Sequence, residues 1–282
     1  MMRRSTVLVL TLITLVAFSA NALLCRLALR LTTIDPASFT AVRLSSGALV
    51  LWLIVRLRSG ERVQGGNWPS ALALFAYAAP FSFAYVTLPS GAGALLLFGA
   101  VQATMILAGL WGGERLGMRQ SAGLALALSG LVYLLLPGLS APPLGGSVLM
   151  LLAGIAWGVY SLRGRGIANP LAATAGNFLR AAPLAMALAL ASLPWLRLDW
   201  AGVGYAVLSG ALASGVGYSI WYAALRGLTA TRAATVQLSV PVIVALGGVV
   251  FLGEPITLRL VFASTAILGG IALVVLSRRR TA

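Results

Sequence analysis

Apolar runs about as long as a bilayer is thick recur ten times along this chain, separated by connections of only a few residues. A spanning helix needs about 20 mostly apolar residues. By that rule the spans fall near 6–29, 37–56, 68–87, 90–111, 118–137, 146–162, 170–193, 200–224, 232–252 and 257–276. Backbone groups in hydrocarbon must be satisfied within their own segment, so each run is a helix. The connections leave no room for a soluble domain that could hold a nucleotide or an enzymatic site. The expected fold is an all-α integral membrane protein of ten transmembrane helices in a compact bundle.

Composition agrees. The chain is 60% hydrophobic and 9% charged, with a mean hydropathy of +0.99, whereas a soluble domain carries about 25% charged residues. The charge is +15, with no His and a pI near 11.6. In a soluble protein that would suggest nucleic acid; here it follows topology, and no nucleic-acid partner is expected. With the N-terminus inside, the cytoplasmic segments hold Arg3, Arg4, Arg56, Arg58, Arg62, Arg115, Arg119, Arg163, Arg165, Arg226, Arg232 and Arg278 to Arg280, and the external ones only Arg30, Arg197 and Arg259. This positive-inside asymmetry puts both termini in the cytoplasm of a multi-pass inner-membrane protein. Arg3, Arg4 and the Ala20-Asn21-Ala22 stretch resemble a secretory signal, but the segment continues apolar as LLCRLAL and reads as a retained first helix. The single cysteine, Cys25, excludes an intramolecular disulfide.

The two halves repeat. Residues 113–136 align at a shift of 140 with residues 253–276, matching Gly113-Glu114 to Gly253-Glu254, Arg119 to Arg259 and Gly130 to Gly270. Earlier the shift is 137, matching Arg43 to Arg180, Phe81 to Tyr218 and Tyr85 to Tyr222. Five spans per repeat, an odd number, turn the second copy upside down. The expected units are therefore 1–140 and 141–282, two inverted five-helix repeats around a central cavity. Inverted repeats mark secondary transporters, with the substrate site near the midplane.

Ten spans in a five-plus-five duplication, with a Gly-Glu after spans four and nine, resemble the EamA-type members of the drug/metabolite transporter superfamily. The stretch FAYVTLPSGAGALLLFGAVQATM, residues 83–105, is similar to amino-acid exporters of that superfamily. The resemblance implies an inner-membrane exporter of aromatic and other amino acids or related metabolites, shaped as a bundle around a cavity. Its partners would be a small-molecule substrate and membrane lipids; a monomer and a homodimer both remain open.

Polar groups in mid-span tend to face the bundle interior or a water-filled path. Asn21, Gln102, Asn177 and Gln237 are such groups, and a hydrogen bond between helices is the alternative reading of each. Phe98 lies one turn before Gln102 on the same face. Tyr77, Phe81 and Tyr85 form a stripe at i, i+4 and i+8, echoed by Ser214, Tyr218 and Tyr222. Phe81 and Tyr218 sit deep enough to line a cavity, and Trp157 and Tyr160 would complete an aromatic box around flat or greasy side chains. Tyr85, Tyr222, Trp200 and Trp221, near helix ends, fit an interfacial belt. Pro80 and Pro241 invite kinks. Arg43 and Arg180, at equivalent depths, either grip a substrate carboxylate or gate it, or else bond carbonyls and loop acids to hold the helices.

The acids Asp35, Glu61, Glu114, Asp199 and Glu254 all fall in loops or at helix ends, so no proton relay crosses the membrane. The chain has no Lys and hence no phosphate-binding loop of the GxxxxGK[ST] type. With no His and one Cys, no metal site and no cofactor are expected. No nucleophile has a base beside it, so no enzyme is expected. Transport down the substrate's own gradient is the simplest reading. The alternatives are an exporter of a purine, nucleotide sugar or cationic drug, or a proton-coupled antiporter.

Overall fold

Four helices start on a side chain that caps them. Asp35 Oδ1 accepts the amides of Ala37 and Ser38, both at 2.9 Å. Asn67, Asn169 and Asp199 do the same for Ser70, Ala172 and Gly202, and Pro36, Pro69 and Pro170 sit in three of these first turns, where a missing N–H costs nothing. The resulting structure, a computed structural model, describes residues 3–59, 65–113, 116–138, 140–228, 233 and 236–276. Glu61, Arg62, Glu114, Arg115, Arg232 and Arg278 to Arg280 lie outside the described residues.

Ten helices are described: α1 (Arg4–Leu31), α2 (Pro36–Ser59), α3 (Trp68–Tyr85), α4 (Ser90–Trp111), α5 (Met118–Leu135), α6 (Leu144–Arg163), α7 (Pro170–Ala191), α8 (Trp200–Leu225), α9 (Ser239–Leu252) and α10 (Leu258–Leu276). Eight are long and apolar enough to cross a membrane. The exceptions are α3 and α9. At 18 residues α3 is long enough, but two prolines, two serines, two tyrosines and a tryptophan dilute its apolar content. At 14 residues α9 rises only about 21 Å, short of a hydrocarbon core about 30 Å thick.

The ninth span is interrupted close to Pro241, where the sequence invites a kink. Pro241 stands in the first turn of α9 rather than in its interior. Helical backbone at Val236 and Gln237 is interrupted at Leu238, just after the Gln237 carbonyl that Pro241, having no N–H, cannot bond. Pro80, by contrast, lies within α3. α8 departs in another way: Leu208–Val216 widens into a π-helical stretch rich in small residues, LSGALASGV, a deviation often found at functional positions.

The helices pair selectively: α2 lies along α7, α5 along α10, and α4 against α9; α6 is flanked by α3 and α4, and α1 by α8 and α9, while α3 also meets α7 and α2 meets α8. Small residues permit the closest approaches. A Cβ on Gly210 would strike the Arg43 carbonyl oxygen of α2, and one on Gly270 the Gly123 carbonyl of α5. A Cβ added to Gly154 or Gly158 of α6 would come within 2.6 Å of Ala100 or 2.8 Å of Thr104 on α4. Such packing replaces the hydrophobic drive that lipid removes.

Candidate functional site

One cavity of 430 Å³ lies among α1, α3, α4, α6, α7, α8 and α9, within the size range of small-molecule sites. All ten residues expected to line a cavity line this one: Asn21, Tyr77, Phe81, Phe98, Gln102, Trp157, Tyr160, Asn177, Tyr218 and Gln237.

Trp157 is the hub of the aromatic wall. Its ring stacks on Tyr160 at 5.2 Å and on Tyr218 at 5.8 Å, and meets Tyr77 at 4.7 Å with a 49° tilt. Tyr77 continues to Phe81, 5.2 Å away. Phe18, three residues before Asn21 on α1, joins Tyr218 at 5.6 Å and Trp221 at 5.9 Å. Offset and tilted pairs of this kind are favourable and stiff.

The amides divide into two kinds. Asn21 is held on both sides, its Oδ1 accepting from Ser209 Oγ at 2.7 Å and its Nδ2 donating to the Tyr77 phenol at 3.3 Å. Asn177 Oδ1 accepts the Asn67 amide at 2.9 Å, and its Nδ2 donates to Tyr160 at 3.4 Å. Gln102 and Gln237 make no hydrogen bond with any described residue and border the cavity. An amide has two donor hydrogens and two acceptor lone pairs, so these two side chains leave that capacity to whatever fills the space.

Among the described residues the cavity lining reaches the exposed surface at one end. Ser70, Ser161, Gly164, Arg165, Ile167, Pro170 and Leu225 bring its lining to the exposed connection between α6 and α7. Nearby, Arg163 donates to Ser70 Oγ at 3.1 Å and to Asn67 Oδ1 at 3.3 Å. The opposite end is shut by a buried ion pair. Glu254, 8% exposed, accepts Arg26 Nε at 3.1 Å, the Ser90 amide at 2.7 Å and Ser90 Oγ at 2.5 Å, with Arg30 at 3.7 Å. Arg26 also donates to the Tyr85 and Val86 carbonyls, at 2.8 and 3.0 Å. This clasp joins α1, the α3–α4 turn and the α9–α10 connection. The other described acids, Asp35 and Asp199, cap α2 and α8, so no described acid lines the cavity.

The two repeated arginines differ. Arg180 Nη1 bonds the Gly65 and Gly176 carbonyls at 2.9 and 2.8 Å, away from the cavity. Arg43 is 1% exposed and lies behind the lining, with Nη2 on the Tyr77 phenol at 3.0 Å and its guanidinium 4.9 Å from the Phe81 ring. Nothing described hydrogen-bonds its Nε or Nη1.

The interfacial assignment needs correction. Of its four residues only Trp200 is exposed, at 90%. Tyr85 is fully buried against Phe81, and Trp221 and Tyr222 border the cavity. Proximity to a helix end misled because these tyrosines sit on the inward stripe of their helices. Phe18, Ser209 and the clasp partners of Glu254 escaped the sequence reading. Phe18 could have been found from its i, i+3 spacing to Asn21.

A bundle of apolar helices around a polar-and-aromatic cavity open at one end is the architecture of a multi-pass membrane transporter. The chain belongs to the EamA-like transporter family, within the drug/metabolite transporter superfamily; the family profile matches residues 144–276. An uncharacterized protein of Pseudomonas aeruginosa is 59% identical over 272 residues, covering 96% of this chain and 95% of the relative. An uncharacterized transporter of Archaeoglobus fulgidus is 25% identical over 253 residues, 87% of this chain and 90% of the relative. A solved crystal structure superposes with a TM-score of 0.67 over 99% of this chain and all of the other, at 23% identity, which speaks for the fold.

Proposed function

We propose that this protein is an inner-membrane exporter of neutral amino acids, aromatic ones among them, working down the substrate's gradient by alternating access. One observation carries the reading: a 430 Å³ cavity joins an aromatic box centred on Trp157 to two amides, Gln102 and Gln237, that have no partner among the described residues. Flat or apolar side chains suit the rings, and the amides suit a polar backbone end. A described lining without carboxylates gives no reason to favour a cationic drug. The likeness of residues 83–105 to the amino-acid exporter YddG points the same way.

The moving parts in this reading are two inverted repeats, 1–140 and 141–282. Helix pairing supports it: exchanging α1–α5 with α6–α10 converts α1·α8 into α6·α3, α1·α9 into α6·α4 and α2·α8 into α7·α3, and leaves α2·α7, α4·α9 and α5·α10 unchanged. Arginine placement supports a cytoplasmic open end and an external Glu254 clasp. Uptake of labelled phenylalanine and threonine into proteoliposomes tests the function. Saturable uptake without an imposed pH gradient, altered by Gln102→Ala, is the expected result. Accumulation driven by a pH gradient alone would refute the passive mechanism, and absence of uptake by the wild type would refute the substrate.

A further inference from the structure

Arg43 presents an imbalance that packing does not resolve. It is 1% exposed within α2, and two of its nitrogens, Nε and Nη1, have no hydrogen-bond partner among the described residues. The described ion pairs belong to Arg26 and Arg30, both with Glu254. Among the described residues Arg43 faces the rings of Phe81 and Tyr77, at 4.9 and 5.3 Å, and the Tyr77 phenol oxygen, with the neutral groups of Cys25 and Tyr218 also nearby. Buried charges ordinarily have an opposite charge beside them.

Tyr77 links this charge to the cavity. A phenol oxygen has two lone pairs and one proton. Arg43 Nη2, at 3.0 Å, and Asn21 Nδ2, at 3.3 Å, take up the acceptor positions. Asn21 is itself oriented by Ser209. The phenol proton then has no acceptor among the described residues, and Tyr77 is part of the cavity wall. A hydroxyl that accepts from a cation becomes a stronger donor, because hydrogen bonds in a chain polarise one another and a low local dielectric strengthens each.

We propose that Tyr77, backed by Arg43, is the point at which the cavity recognises a carboxylate. Tyr77 donates its proton to the anionic oxygen, and Arg43 is the positioning residue whose buried charge the anion offsets through the phenol. The substrate class is therefore an organic carboxylate with an apolar or aromatic body. This inference rests on the cavity being the substrate site, and it narrows the amino-acid reading to the group by which an amino acid would be held.

The test compares each acid with its amide. Purified wild type, Tyr77→Phe and Arg43→Met are titrated with phenylalanine and phenylalaninamide, and with phenylacetate and phenylacetamide, following ligand-induced thermal shifts. A hydrogen bond to a charged group implies a wild-type preference for the acid of about tenfold or more. That ratio should fall towards unity in both variants while amide binding persists, a pattern that simple loss of stability does not produce. Two variants guard against one of them failing to fold. An unchanged ratio in the variants, or a wild type that does not prefer the acids, overturns the inference. Binding of phenylacetate without phenylalanine would overturn the amino-acid reading and leave this inference standing. Binding of phenylalanine with a ratio indifferent to both variants would do the reverse.

Discussion

Glu254→Gln should open the end of the cavity that the structure shows closed. The substitution keeps the shape of the side chain and removes the charge that Arg26 meets at 3.1 Å. The side chains of both partners are about nine-tenths buried, at 9% and 10% exposure, so solvent screens the pair weakly. Arg30, 41% exposed and 3.7 Å away, adds little. Removing one partner of a buried pair costs about 3–5 kcal/mol. Because glutamine still accepts a hydrogen bond from Ser90, the lower end applies, about 3 kcal/mol, or roughly a 100- to 150-fold change in an equilibrium constant. The penalty falls only on the conformation in which the clasp is made. A conformation open on the Glu254 side and populated at about 1% would rise past half. The assay uses Ala22→Cys in a Cys25→Ala background, since Ala22 borders the cavity one turn before Arg26. A membrane-impermeant maleimide added from the Glu254 side should label this cysteine slowly in the parent and far faster with Glu254→Gln. An unchanged labelling rate accompanied by a lower melting temperature would refute the argument and reduce the clasp to a static brace.

Three further outcomes follow from the same contacts. Gln102→Ala should leave the melting temperature within error of wild type, as Gln102 bonds nothing described, whereas Asn177→Ala should cost about 1–3 kcal/mol by stranding the Asn67 amide and the Tyr160 phenol, both read by thermal denaturation in detergent. Gly270→Ala should lose about 1–3 kcal/mol by forcing α10 off α5, while Gly269→Ala, whose Cβ meets nothing within 4 Å, should be silent in the same assay. Ligand-free Arg43→Met should melt no lower than wild type, because it replaces a buried charge lacking an acid partner with an apolar chain of similar length; a large loss would make Arg43 a structural strut.

How much of this was legible in the sequence depended on how far each signal reaches along the chain. Helix positions came from unbroken apolar runs, a local property, and most observed bounds fall within a few residues of them. Gln102, Asn177 and their fellows stood out because an amide in hydrocarbon must have a reason to be there. The break before α9 was signalled by Pro241, but not its extent, which depends on how the backbone around Leu238 is packed. The π-helical stretch in α8 has no local signature beyond small residues. Tyr85 and Tyr222 were misplaced because a tyrosine near a helix end suits an interface, and only the neighbouring helices decide otherwise.

The matched arginines make the limit plain. Arg43 and Arg180 are 137 residues apart, as are Arg26 and Arg163, yet neither pair has matched surroundings. Arg26 is locked to a carboxylate at the closed end, while Arg163 rests on Ser70 and Asn67 beside the open one. Arg180 satisfies the carbonyls of Gly65 and of Gly176 one turn back in α7, while Arg43 keeps two nitrogens without a described partner in the core. A sequence repeat is blind to conformation, but a structure records one conformation, and a cavity open at a single end cannot give equivalent residues equivalent partners. The asymmetry is what the proposed alternating access between two inverted halves would require on one side of its cycle. On that proposed reading, Arg26 should be the residue released in the opposite conformation and Arg163 the one locked.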